Sequence, residues 1–279
     1  MSQTRTADTW EHGEPYERYM GRWSRRVAAQ FLAWLGIPSG RRWLDVGCGN
    51  GALCGAILDN CSPSSVIGVE PSQGFLAKAQ EQLAGRVVLR QGTAAQVPLN
   101  DSTVDVTCSG LVLNFLPDPS AALVEMTRVT CDGGAIAAYL WDYAGNMELI
   151  RLFWETALEL DPEAARRDEG VRFPMCNPGA LTLLFENSGL RAVEVIAIDI
   201  PTLFPNFDDY WRPFLGGQGP APAYAMVLDG ALRQRLRDRL QQRLPVQADG
   251  SISLTARAWA VRGTVAKQGQ QNFPGFGQG

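Results

Sequence analysis

A single histidine, His12, stands in the whole 279-residue chain. That scarcity leaves little room for a histidine base. With no CxxC pair among Cys48, Cys54, Cys61, Cys108, Cys131 and Cys176, a Cys/His zinc site is also excluded, and no metal site is expected. The cysteines read as reduced core or near-core residues of a cytoplasmic protein. No run of about 18 apolar residues occurs, so no membrane span is expected. The opening MSQTRTADTWEHGEPY is polar and lacks the apolar stretch of a secretory signal. Basic charge is short as well: 25 Lys and Arg against 29 Asp and Glu leave a net charge of −4. Holding nucleic acid needs clustered cations to neutralise phosphates, so no nucleic-acid partner is expected. The densest basic run, residues 233–243 (RQRLRDRLQQR), carries Leu232, Leu236, Leu240 and Leu244 at helical spacing. It reads as an amphipathic helix with a solvated Arg face, or alternatively as a face for an anionic substrate or partner.

What is present is the material of an ordinary globular domain, 46% hydrophobic and 19% charged. The length suits one large α/β domain, or one domain with a modest insertion. Five short β-rich runs follow one another: RRWLDVG, SSVIGVE, RVVLRQG, VDVTCSG and AIAAYLWD. Helical patterns at 51–59, 73–84 and 119–130 lie between them, which predicts parallel βαβ units in a doubly wound sheet. Further on, 147–160 and 178–188 read as helices, 161–177 as a polar loop, and 190–200 as a strand. Residues 204–228 are aromatic and rich in Gly and Pro. Residues 251–262 alternate as a last strand, returning antiparallel in the edge region of the sheet. The tail QGQQNFPGFGQG is low in complexity and reads as disordered.

The chemistry concentrates after the first strand. Asp45 is followed by Gly47, Cys48, Gly49, Asn50 and Gly51, a tight turn whose glycines admit a ligand close to the backbone. Cys48 reads as a small filler there rather than a nucleophile. Ligands of such sheets lie beyond the carboxyl ends of the central strands. Glu70 closes the next strand, 19 residues past Gly51, where a carboxylate can accept both hydrogen bonds of a ribose diol. The spacing is G-x-G-x-G, against G-x-G-x-x-G/A for dinucleotide sites, whose last place Ala52 nominally fills. Asp45 sits close to where a pyrophosphate would lie and would repel it. The same carboxylate favours a ligand bearing an ammonium and a sulfonium. A P-loop is excluded, since no GK[ST] follows.

The successive segments LDVGCGNGAL, VIGVEPS, RQGTAAQVPL and STVDVTCSGLVLNFLPDPSAALVEMTRVTCDGGAIAAY resemble, in order, the motifs of class I S-adenosylmethionine-dependent methyltransferases, in the group related to the ubiquinone/menaquinone biosynthesis enzymes. The resemblance covers roughly residues 15–142, including YERYMGRWS. It implies a Rossmann-like, mostly parallel seven-stranded sheet with a helical, aromatic lid insertion, and S-adenosyl-L-methionine as cofactor. By that resemblance Asp45 and Gly47 line the methionine moiety and Glu70 takes the ribose hydroxyls. Pro71 and Ser72 pack near the adenine, Thr93 and Ala94 meet its edge, and Ser109, Gly110 and Leu111 pass under the methionine portion. Thr93 stands where the family usually has Asp, and Asn114 where many relatives carry histidine. Domain limits follow: 1–40 as an N-terminal helical cover, 41–263 as the methyltransferase domain with a lid at about 204–245, and 264–279 as the tail.

Methyl transfer asks the protein mainly to position the acceptor and exclude water. Where a base is required, the candidates are Asp142, Asn114, Tyr16 and Tyr19, each equally able to serve as a structural hydrogen-bonding group. Trp23 and Trp141 are candidate walls over the sulfonium or the acceptor. No Asn-Pro-Pro-Tyr-type tetrad follows the fourth strand; Ser109-Gly110-Leu111-Val112 occupies that place. The expected acceptor is therefore a small, partly apolar molecule. A catalytically idle S-adenosylmethionine-binding protein and an NAD-dependent oxidoreductase are the competing readings.

Overall fold

The computed structural model describes residues 17–217 and 219–266. His12, Tyr16 and the tail from residue 267 lie outside them. The alternation of apolar strands and amphipathic helices folds as expected. Strands β1 (Arg42–Val46), β2 (Ser65–Glu70), β3 (Val88–Gln91), β4 (Val104–Gly110) and β5 (Thr130–Trp141) run parallel. Helix α1 (Arg22–Leu35) precedes them, and α2 (Ala52–Cys61), α3 (Gln73–Leu83) and α4 (Pro119–Val129) connect them. Side-chain oxygens set two of these helix starts: Ser72 accepts from the Phe75 N–H at 3.4 Å, and Asp118 from the Ala121 N–H at 3.0 Å.

The second half adds α5 (Glu148–Leu160), α6 (Glu169–Arg172), α7 (Pro178–Asn187), β6 (Arg191–Phe204), α8 (Phe207–Trp211), α9 (Pro220–Val227), α10 (Gly230–Arg243) and β7 (Ile252–Thr264). The seven strands order as β3-β2-β1-β4-β5-β7-β6. The last strand thus lies between β5 and β6, antiparallel to both, and β6 forms the edge. Alternation in SISLTARAWAVR reports which side chains are buried; it carries no information on whether one strand edge or both are paired. Two other expectations shift. β5 begins at Thr130, directly after α4, and the polar stretch 161–177 contains a 3₁₀ turn and α6, capped by Asp161 and Asp168.

The aromatic insertion is packed inward. Phe214 stacks on Phe153 of α5 with ring centroids 4.5 Å apart and meets Tyr19 edge-on at 5.5 Å. Tyr210 donates to the Leu149 carbonyl at 3.0 Å. The Arg face of α10 is largely spent on the protein itself. Arg239 and Arg243 pair with Glu159 and Glu155 of α5, and Arg233 caps the carbonyls of Ala225, Met226 and Leu228 at the end of α9. The partly exposed pairs tie α10 down more than they stabilise it.

Candidate functional site

Beyond the carboxyl ends of β1, β2 and β4 opens a cavity of about 390 Å³. The turn from β1 into α2 forms its floor. The N–H groups of Gly47 and Cys48 both donate to the Val69 carbonyl, at 2.8 and 3.1 Å, which locks the turn onto β2. Gly47 has φ +77°, and a Cβ there would lie 2.7 Å from the Val112 side chain. Gly47→Ala is therefore expected to cost about 1–2 kcal/mol, the left-handed penalty alone, with the clash added. Thermal unfolding checks this; an unchanged midpoint would show that the turn accommodates a side chain. Leu111, just past β4, also adopts a left-handed conformation, φ +61°, held by its N–H to the Tyr139 carbonyl at 2.8 Å. Strain of that kind at a cavity wall persists only where the surroundings over-determine it.

Two carboxyl groups face this cavity. Asp45, on β1, is 1% exposed. Its Oδ2 accepts from the Cys54 thiol at 3.3 Å, while its Oδ1 is buried with no partner among the described residues. Burial pushes Asp45 up to about 7, against the Cys54 hydrogen bond and with a smaller contribution from Glu70. Glu70 is held by backbone: Oε2 accepts from the Gly49 N–H at 3.1 Å and Oε1 from the Ser72 N–H at 3.0 Å. Burial raises Glu70 as well, partly offset by those two bonds. Each oxygen keeps acceptor capacity for a ligand hydroxyl.

Of the residues singled out from sequence, Asp45, Gly47, Cys48, Gly49, Glu70, Pro71, Thr93, Ala94, Gly110 and Leu111 line the cavity. Four others are placed nearby in supporting positions. Gly51 starts α2 against Leu83, and Ser72 caps α3. Ser109 is buried and donates to the Val46 carbonyl at 2.9 Å. Trp23 is buried beneath the Arg22 guanidinium, 4.4 Å from its ring, and edge-on to Phe204. Asp142 accepts from the Asn146 N–H at 2.9 Å, and the buried Asn114 amide has no partner among the described residues; neither lines the cavity.

Sequence reasoning missed Ser24, Phe75, Phe115, Leu116 and Tyr139, which also line it. The turn after Gly110 was the available signal for Phe115 and Leu116. Tyr139 is set by strand alternation on β5, and its hydroxyl fills the space beside Gly110, where a Cβ would come within 2.6 Å. A second, small cavity of about 20 Å³ shares the walls Leu111 and Phe115 and is lined by Tyr19, Trp141, Tyr143 and Glu169.

Residues 44–138 match the methyltransferase domain family. Over 105 residues, 34% of this chain, the sequence is 40% identical to an uncharacterized methyltransferase of Schizosaccharomyces pombe, of which it covers 38%. It is 30% identical over 143 residues to the demethylmenaquinone methyltransferase of Lactobacillus johnsonii, covering 49% of this chain and 58% of that protein. The chain thus spans less than two thirds of the length of these relatives. In three dimensions it resembles a Bacillus halodurans protein whose proposed activity is methyl transfer, with TM-score 0.58 and 16% identity over 86% of this chain and 99% of that one. It also resembles the phosphoethanolamine N-methyltransferase 2 of Haemonchus contortus in complex with phosphomonomethylethanolamine and S-adenosylhomocysteine, with TM-score 0.56 and 14% identity over 91% and 58% of the two chains.

The parallel sheet with one antiparallel strand, opening at its carboxyl ends onto a glycine turn and two acidic strand ends, is the Rossmann-like methyltransferase architecture. Over residues 44–138 the chain carries a methyltransferase domain, and over 143 residues it is similar to a demethylmenaquinone methyltransferase. The family's cofactor is S-adenosylmethionine.

Proposed function

We propose that this protein transfers a methyl group from S-adenosylmethionine to a small, partly apolar acceptor enclosed by the 204–245 insertion. The observation that carries the reading is the buried, unpartnered Oδ1 of Asp45 in the wall of the cavity. An isolated buried carboxylate is costly, and a cationic ligand relieves that cost. S-adenosylmethionine supplies such charge when bound, together with a methyl group activated by its sulfonium.

In this reading Asp45 orients the cationic methionine end, with Gly47, Cys48 and Gly49 forming the floor beneath it. Glu70, pre-oriented by the Gly49 and Ser72 N–H groups, takes the ribose hydroxyls. Pro71, Thr93 and Ala94 form the adenine end, with Thr93 on the exposed rim. Gly110 and Leu111 line the methionine side. Phe115, Leu116 and Tyr139 exclude water from the reacting region. Neither Asp142 nor Asn114 is assigned a proton-transfer role, because neither lines this cavity; an acceptor that need not lose a proton at or before attack requires only position and dryness. Six free thiols support a reducing compartment as its place of work.

Glu70→Ala removes the acceptor for two backbone N–H groups as well as for the ribose. It is expected to weaken S-adenosylhomocysteine binding by roughly 1–3 kcal/mol, measured by titration calorimetry; unchanged affinity would refute the assignment. The dinucleotide reading is tested beside it by thermal shift. S-adenosylhomocysteine is expected to raise the melting temperature and NADH to leave it alone, and stabilisation by NADH alone would overturn the proposal.

A further inference from the structure

The second cavity is lined by three polar side chains that the cofactor reading does not use, Glu169, Tyr19 and Tyr143. Glu169, the first residue of α6, is 1% exposed, and its carboxyl accepts from the indole N–H of Trp154. Tyr19 is 3% exposed, and its hydroxyl has no partner among the described residues. Both line a space of about 20 Å³, room for one group the size of a water molecule. The remaining wall is apolar and aromatic, with Met20, Phe115 and Trp141, and Leu111 and Phe115 also line the cofactor cavity.

We propose that this cavity is the polar subsite of the methyl acceptor, in which the Glu169 carboxyl and the Tyr19 hydroxyl together hold a neutral hydroxyl group. The acceptor's apolar body then lies along Leu111 and Phe115, which brings it to the methyl-donor side. The inference rests on the methyltransferase reading above and deepens it, assigning a hydroxylated, otherwise apolar class of acceptor.

Three features favour a hydroxyl over a cation. Burial pushes Glu169 up to about 8, with the nearby Asp168 adding to the shift, so the group is largely a neutral acid at pH 7. The neighbouring cation, Arg151, is engaged with Asp168. A hydroxyl both donates and accepts, so it satisfies a carboxylic acid and a phenol at once, whereas an ammonium only donates. An unpaired phenol hydroxyl in an apolar wall is otherwise a net loss, which a bound partner removes.

The test uses the whole protein saturated with S-adenosylhomocysteine and three probes of similar size: benzyl alcohol, benzylamine and toluene. Calorimetry is expected to show benzyl alcohol binding about tenfold more tightly than toluene. Tyr19→Phe keeps the ring against Phe214 and removes only the unpartnered hydroxyl; Glu169→Gln keeps an acceptor for the Trp154 N–H. Tyr19→Phe is expected to reduce that preference to about threefold or less, with S-adenosylhomocysteine affinity and melting temperature retained, whereas Glu169→Gln, whose amide accepts and donates as the neutral acid does, is expected to keep it. Equal binding of benzyl alcohol and toluene to the unaltered protein would overturn the subsite, as would a preference kept in Tyr19→Phe. Tightest binding by benzylamine would overturn the neutral hydroxyl in favour of a charged pair. Failure of the unaltered protein to bind S-adenosylhomocysteine would instead overturn the methyltransferase reading beneath it.

Discussion

Asp45→Asn is expected to weaken S-adenosylhomocysteine binding about tenfold or more at pH 8, to flatten its pH dependence, and at the same time to stabilise the ligand-free protein. All three effects come from one buried carboxyl whose Oδ1 lacks a partner among the described residues. With Asp45 pushed up to about 7, chiefly by burial, the ligand-free protein holds a proton there at mildly acidic pH. A ligand ammonium favours the ionised form, so binding below about pH 7 must expel that proton. Each pH unit below then costs about 1.36 kcal/mol, close to a tenfold loss of affinity, and above it the affinity levels off.

The stability effect has the opposite sign. A carboxyl whose folded pKa is raised holds its proton more tightly in the folded state than in the unfolded chain. Its contribution to stability is therefore present at low pH and is lost as pH rises from about 4 through about 7. Asn cannot ionise, so at pH 8 the variant avoids that loss and is expected to gain roughly 1–3 kcal/mol in the ligand-free state. Its amide oxygen still accepts from the Cys54 thiol. Calorimetry across pH 5.5–8.5 and thermal unfolding without ligand check the two halves separately. A variant that binds normally, or one that loses both binding and stability, would assign Asp45 a structural role.

Arg151→Ala has the largest expected cost in stability, about 3–5 kcal/mol. The guanidinium reaches both Asp168 oxygens, at 2.7 to 3.1 Å, and the Tyr143 carbonyl at 3.2 Å. Its partner's side chain is only 3% exposed, so truncation leaves a buried carboxylate with little besides the Gly170 N–H at 2.8 Å. For a chain of this size the melting temperature is expected to fall by about 6–15 °C. The pair anchors α6, because Asp168 is its N-cap and Glu169 its first residue. The variant should therefore disturb the small cavity before it disturbs Asp45 or Glu70, and S-adenosylhomocysteine affinity measured below the melting point should hold. Arg151→Ala combined with Asp168→Asn removes the stranded charge and should recover part of the loss. A fall below about 1 kcal/mol in the single variant would show that water reaches Asp168.

The residues that the proposed reading gives to the cofactor were legible because they are consecutive along βαβ units. A strand end, a glycine turn and the next acidic strand end are neighbours in sequence and, through parallel pairing, neighbours in space: Gly47 and Cys48 both bond the carbonyl of Val69. The proposed acceptor subsite was legible only in part: Tyr19 and Trp141 stood among the candidates read from sequence, but nothing in the sequence joined them to Phe115, Glu169 and Pro220. Tyr19 precedes the sheet, Phe115 follows β4, Trp141 ends β5, Glu169 sits in a stretch read as polar loop, and Pro220 belongs to the insertion. Nothing local marks Glu169, whose neighbours Asp168 and Gly170 read as a turn. Some glycine-motif and strand-end residues also proved to support the wall without forming it. Ser109 bonds across to β1 and Ser72 caps a helix, roles that motif position alone does not distinguish.

The sequence by itself determined the βαβ rhythm, the glycine turn and the two acids at the ends of β1 and β2, since periodicity and turn chemistry are local properties of the chain. Only the tertiary structure decided that β7 lies inside the sheet, that the Arg helix is bound to α5, and that Asp45 keeps an unpartnered oxygen while Glu70 is held by two N–H groups. It alone brought Tyr19 and Glu169 to one space. Pairing, burial and the loss of water around a charge depend on what other segments pack against it, and that is settled only when distant parts of the chain meet.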